Sequence, residues 1–484
     1  MTSVDPATDS LPACADVRLA GGLRVTAVRL PTVPRVEVRL TVPLGTATAT
    51  ATSPGAGPAT SPTAGSAADP AMHATAAVLA ACVLRGTTGA DGTPVDQALG
   101  TAGGDVVPLA GAGHLVLRGG VLADGLGPLL RILAGAVATA AYTDDDVAAA
   151  RTVLGGQTAV ARMTPAVAAH ALLERHAPGW TAGPQEPPAP EDIAGVTPER
   201  VRALHAGALL PSYARLVLVG DLDPDAATAA ARAAFAGWTG AGAPRPQALS
   251  PARPLRFTPG VLALHPAVRP GTAQIRLCAV RDGEPLGPAT RLAALVLGGY
   301  PGSRLGTRLR ERHGYTYSVR AWAEERPWRQ PYGDGGGREE GHRLLVEVDT
   351  APEKAAALLD ALGDELARMA DEPPSAGEVA AARAHFAGAS LIAWSTQSGL
   401  ADALADPSPG APGSPAELRE PVDALLRTSA AAVADAARTA CAPGGFAGVV
   451  LGAAGDPRPA HWTVVPPAVP PLAAPLASPL PAAV

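Results

Sequence analysis

One histidine, His73, stands in the apolar stretch AMHATAAVLAACVLRGTTG at residues 71–89. A catalytic zinc takes about three protein ligands and a water, and a helix that supplies two of them needs a second donor one turn away and a carboxylate to act as base. The stretch holds neither a second histidine nor an acidic residue. A lone neutral imidazole does not hold zinc at cellular free-metal levels, so this chain is expected to carry no metal and no cofactor of its own. His114 and His205 are isolated and are expected to be surface or hydrogen-bonded histidines. No Ser-His-Asp, Cys-His or phosphate-loop signature is present, and the glycine-rich run Gly333–Gly341 lacks the following Lys-Ser/Thr, which makes it a strand-connecting loop. By composition alone, Arg308, Arg310, Glu311 and Arg312 form an ordinary solvated helix end.

The elements that must position these residues alternate between strand and helix. Val36, Val38, Leu40 and Val42 alternate with Glu37, Arg39 and Thr41, the period of a half-buried strand. Residues 46–70 are a low-complexity Ala/Thr/Ser/Pro/Gly run with nothing to bury, expected as a flexible loop. Leu129, Leu130, Leu133 and Val137 then mark one helical face, Thr197-Pro198 marks a helix start, and YARLVLVGDLDPDAA predicts strand, turn and helix. A Pro-rich connector at 241–259 precedes a second unit with the same ingredients: strands AQIRLCAV, YTYSVRAW and RLLVEVD, then helices. Thr350 with Glu353, and Ser375 with Glu378, predict two capping boxes. The ending FAGVVLGAAGDP echoes the earlier LVLVGDLDP, so the chain is expected to be an internal duplication. The division is 1–14 N-terminus, 15–240 first domain, 241–259 linker, 260–458 second domain and 459–484 Pro-rich tail.

Composition narrows the function. The chain has 484 residues and a formal charge of −6, with the basic residues almost all arginine, scattered and not clustered. Nucleic acid is an unsuitable partner. Cys14, Cys82, Cys278 and Cys441 are far apart with no C-x-x-C pair, which fits a reducing cytoplasm better than a disulfide framework. Neither an export signal nor a membrane-spanning run is expected.

The most specific stretch is LGGYPGSRLGTRLRERHGYTYSV, residues 297–319. It resembles the signature of the insulinase/pitrilysin family of zinc metallopeptidases, and most of all the branch of mitochondrial and bacterial processing peptidases. The opening GGLRV, the RGTTG at residues 85–89 and LVLVGDLDP resemble further family segments in the same order. The resemblance implies an α+β fold of two homologous α/β-sandwich halves joined by a linker. It also implies where a zinc site would be. The family's H-x-x-E-H falls on HATAA, so His73 matches the first histidine, Ala76 replaces the base and Ala77 the second histidine. On the later helix, ARTVLGGQ places Gln157 at the third ligand and Ala150 at its supporting acid.

What the family does with its other half is implied to remain. In the processing branch two chains close around a peptide, and one supplies to the other's zinc site an Arg and a Tyr seven residues apart. The matching residues are Arg310 and Tyr317. The resemblance thus implies a non-catalytic subunit, inactive alone, of a heterodimeric zinc endopeptidase. Its partner would be a homologous H-x-x-E-H chain that carries the zinc, and its substrate a peptide, as in precursor or leader-peptide processing. The alternatives are a structural scaffold and a peptide-binding homodimer. Arg310 is expected in the last turn of a helix capped by Gly314, and Tyr317 in the strand that follows.

Overall fold

The computed structural model describes residues 12–44, 70–87, 93–111, 113–176, 187–240, 258–325, 341–406 and 412–467. The N-terminal segment, nearly all of the 46–70 and 241–259 runs, Gly333 to Glu340 and the end of the tail lie outside these residues.

Two six-stranded sheets carry the chain. The first is built from β1 (Cys14–Arg18), β2 (Arg24–Arg29), β3 (Arg35–Pro43), β4 (Asp105–Gly111), β5 (His114–Leu122) and β6 (Arg215–Gly220), in the order β1-β2-β6-β3-β5-β4. The second is built from β7 (Val261–His265), β8 (Ala273–Asp282), β9 (Val319–Glu325), β10 (Gly341–Thr350), β11 (Phe446–Leu451) and β12 (Thr463–Val465), in the order β12-β7-β11-β8-β10-β9. Set β2, β6, β3, β5 and β4 beside β7, β11, β8, β10 and β9, and both order and direction repeat: one parallel pair, then three antiparallel pairs. The two halves are therefore repeats of one topology. They differ at one margin, where β1 joins β2 antiparallel and β12 joins β7 in parallel. β12 extends the second sheet into the segment expected as a tail, because Trp462 is buried and donates its indole N–H to the Pro443 carbonyl at 3.1 Å.

Each sheet buries one face under its own helices, in two separate clusters of apolar side chains. The opposite faces are covered reciprocally. Helix Pro165–His176, of the first half, lays Ala168, Ala169, Leu172 and Leu173 on Ala263, Cys278, Leu345 and Val449 of the second sheet. Helix Gln397–Ala405, of the second half, lays Leu400, Ala401 and Leu404 on Val28, Val217 and Val219 of the first.

This exchange corrects the reading of β3 as half-buried. Its alternate residue Arg39 is 1% exposed. Its guanidinium reaches Asp402 at 2.6 Å and Ser398 at 2.8 Å on the covering helix, and Glu37 at 3.0 Å on its own strand. Arg276 is the counterpart on β8, buried against Glu347 and Asp349. Arg39 lies across from Val217 of β6 as Arg276 lies across from Val449 of β11, the same register in both sheets. Among the described residues no helix is long and apolar enough to cross a membrane.

The capping-box expectations divide. Ser375 accepts from the Glu378 N–H while Glu378 reaches back to Ser375, and helix Ala376–Trp394 starts there. Thr350 forms no such box with Glu353. Its hydroxyl donates instead to the Tyr315 carbonyl at 2.6 Å, and helix Ala355–Asp371 starts only after a 3₁₀ turn at Pro352–Lys354.

Candidate functional site

Helix Pro70–Cys82 forms as expected and acts as a packing element. Ala74, Thr75, Ala76, Val78, Leu79, Ala80 and Cys82 are all buried. His73 is half-buried and is not without a partner. The helix packs on helix Asp144–Arg162, where Ala150 is buried and Gln157 is exposed. The donors here do not fit zinc: Ala76 and Ala77 have no ligand atom, and Gln157 is left facing outward. No group of three or more His, Cys, Asp or Glu stands close enough to hold a metal ion among the described residues.

His205 accepts or donates at 2.7 Å with the Tyr142 hydroxyl, the hydrogen-bonded histidine expected of it. All four cysteines are free. Burial pushes the Cys82 thiol up to about 11 and those of Cys278 and Cys441 to about 12, so these three offer no thiolate near neutrality.

The second half is built differently around Arg310. Two π-helical stretches, Leu295–Gly299 and Gly306–Arg312, flank the turn Tyr300 to Ser303; such widened turns recur at functional sites. Gly314, at φ 59°, closes the helix in the left-handed conformation, and the Tyr315 N–H returns to the Leu309 carbonyl at 2.9 Å. The exit is pinned by Lys354 Nζ, which donates to the Gly314 carbonyl at 2.9 Å, and by Thr350 on Tyr315.

Arg310 thus lies in the last turn, as expected. Its Nε donates to Glu311 at 2.8 Å and its Nη2 to the Pro301 carbonyl at 3.2 Å. Tyr317 is not in the strand: β9 begins at Val319, because Thr316 turns back on Ser318 with two short hydrogen bonds of 2.8 and 3.0 Å. The phenol of Tyr317 is left 91% exposed. The two residues flank one capped turn, and no hydrogen bond or ring contact joins them among the described residues.

Sequence reasoning passed over three neighbours. The Tyr300 ring stacks on His385 with centroids 5.4 Å apart and planes at 29°. Burial first, and the nearby Glu378 carboxylate second, hold the Tyr300 phenol above its ordinary value. Arg304 grips Glu378 with two bonds of 2.7 and 3.1 Å. Those bonds, with the ones from Ser375, bring the Glu378 carboxyl down to about 2. His385 and Glu378 come from a helix some eighty residues further along the chain, and no local motif marks that approach.

A polar cleft of about 370 Å³ opens between helix Pro165–His176 and the second sheet, lined by His170, Arg276, Arg320, Trp322 and Glu347 among others. Its charges are paired within the protein. Arg320 meets Glu347 at 3.0 Å, and Arg343 behind the cleft lies 2.7 Å from Glu174. Burial still holds the Glu174 carboxyl above its ordinary range.

Residues 195–386 match a family model described as the peptidase M16 inactive domain. Among solved structures, a peptidase M16 inactive domain from Pseudomonas fluorescens superposes with a TM-score of 0.64 at 18% identity, covering 92% of this chain and 99% of that one. A protease from Helicobacter pylori gives 0.69 at 16% identity over 91% and 100% of the two chains. The periplasmic protease PqqL from Escherichia coli gives 0.62 at 15% identity; 94% of this chain is covered but only 48% of that one. No curated protein matches the sequence significantly.

Proposed function

We propose that this chain, a member of the peptidase M16 family through the inactive domain at residues 195–386, is the non-catalytic subunit of a heterodimeric zinc endopeptidase. It pairs with a homologous chain bearing an intact H-x-x-E-H motif and its zinc, encloses a peptide, and presents Arg310 and Tyr317 to the partner's site. What supports this reading is the register of the resemblance together with the local structure: it puts Ala76 and Ala77 at the base and second-ligand positions on helix Pro70–Cys82, and Arg310 and Tyr317 on either side of a glycine-capped turn with Tyr317 91% exposed.

A guanidinium and a phenol aimed at a scissile carbonyl strengthen as negative charge develops on its oxygen, and each good donor is worth about 2–4 kcal/mol in such a site. Arg310 would exchange its Pro301 and Glu311 partners for that oxygen, while Tyr317, 91% exposed, has no hydrogen bond to give up among the described residues. Removal of a leader from a precursor is the use we assign, in a reducing cytoplasm consistent with four free cysteines.

A structural subunit with no part in proteolysis is the second reading, favoured by the engagement of Arg310 within its own loop. Mixing separates the two. The purified pair should cleave an unfolded peptide that neither chain cleaves alone; a pair that assembles with no gain in cleavage rejects the first reading and keeps the second.

A further inference from the structure

Helix Ala376–Trp394 is long and apolar, yet of its residues only Val379 and Ala382 are buried. Exposed amphipathic helices ordinarily carry charge on the face turned to water. Here, from Val379 to Trp394, the single formal charge is Arg383, and its guanidinium is turned inward to the Thr428 carbonyl. What faces outward is Ala381, Ala384 and His385, then Leu391 at 62% and Ile392 at 72% exposure. Ala381, His385, Gly388 and Ile392 follow one another at four-, three- and four-residue spacing, so they form one stripe along the helix.

Both ends of the stripe meet something. At its start His385 stacks on Tyr300, and the next residue, Pro301, holds the Arg310 guanidinium by its carbonyl. Past its end Gln397 donates to the carbonyls of Leu30 and Val33 at 2.8 and 3.0 Å, which brings exposed Val33 of the first half to the foot of the helix.

We propose that this stripe, from the Tyr300–His385 stack to Leu391 and Ile392, is a docking strip for an uncharged, apolar stretch of extended polypeptide. The proposal deepens the peptide-holding part of the function above and rests on it for the role of Arg310 at the strip's head. Absence of charge over four turns selects the occupant, since a charged peptide would give up hydration and find no counter-ion. Small residues at 381, 384 and 388 let a main chain lie close, and the stacked ring and imidazole give one flat place for a side chain. From Ala381 to Ile392 the helix runs about 16 Å, enough for about five extended residues.

The test uses the full chain without any partner. A fluorescein-labelled ten-residue peptide of Leu, Val, Ala and Ser is titrated against it, beside a peptide of equal length in which Glu and Lys replace half the residues, and anisotropy gives Kd. The uncharged peptide should bind at least about tenfold tighter, a difference of about 1.4 kcal/mol. Leu391→Glu and Ile392→Glu, both at exposed positions, should each weaken it about tenfold at unchanged melting temperature, and His385→Ala should weaken it too. Three results overturn the proposal: no preference between the peptides, unchanged Kd in both glutamate variants, or variants that leave Kd intact but split a self-associated form on size-exclusion with light scattering. The last would make the strip an interface between copies. Cleavage plays no part in this readout, so failure of the mixed-chain activity above and failure of the strip remain distinguishable.

Discussion

Ala76 is one methyl group in a packed seam, and that decides what reversal would do. Ala76→Glu would place a carboxylate at a buried position beside Ala74 and Leu79 with no arginine or lysine on its helix. An unpaired charge there costs several kcal/mol or forces the acid to stay protonated. We expect Ala76→Glu with Ala77→His to lower the unfolding free energy measured in urea by about 2 kcal/mol or more and still to bind no stoichiometric zinc, since Gln157 is exposed. Tight zinc in the double variant would contradict the packing account.

Glu347 gives a second residue-scale expectation. Burial alone would raise its carboxyl, but the hydrogen bond from His170, the Arg276 charge and the hydrogen bond from Arg320 outweigh it and take the value from 4.5 to about 2. A depressed acid stabilises the folded state above its unfolded value, and that contribution is lost as pH falls from 4.5 toward about 2. Glu347→Gln should therefore flatten the fall in melting temperature across that window, and parallel curves for variant and wild type would contradict the pairing. Helix Pro70–Cys82 was legible at this scale, because a run rich in alanine and other apolar residues specifies a packed helix. Arg39, Arg276 and Glu347 were not, because an arginine alternating with valines in a strand has the pattern of a solvent-facing residue, and what covers it comes from the other half of the chain.

At the scale of elements, the two exchanged helices hold the halves together. Leu172 under the second sheet and Leu404 under the first are both buried in clusters that contain residues of both halves. Leu172→Ala and Leu404→Ala should each cost about 2–5 kcal/mol. Both should also lower the stability of the half that does not contain the mutated residue, which hydrogen exchange at β11 and β6 respectively would detect. Protection lost only in the mutated helix would contradict the exchange.

The helices themselves were readable from apolar spacing, as Leu129, Leu130, Leu133 and Val137 show by all being buried. Their partners were not, since apolar residues specify that a face is covered and not which sheet covers it. Thr350 shows the same limit: a sound capping pattern loses to a tertiary acceptor, the Tyr315 carbonyl, that no local rule contains.

For the molecule as a whole, the repeated strand order states the duplication outright, and the echo between LVLVGDLDP and FAGVVLGAAGDP announced it in the sequence. What the echo could not announce is the unequal fate of the two halves. Helix Pro70–Cys82 is a packing element, and its counterpart by element order is Pro288–Ala294 with the widened turn Leu295–Gly299, whereas Arg310 and the exposed Tyr317 lie around the next helical stretch, the counterpart of Val95–Thr101. The most direct measurement is therefore kcat and KM for peptide cleavage by the reconstituted pair with Arg310→Ala or Tyr317→Phe in this chain, with assembly followed by size-exclusion. We predict an intact complex whose kcat falls about a hundredfold for Arg310→Ala and less for Tyr317→Phe. Unchanged kcat in both variants, with the complex intact, would contradict the account.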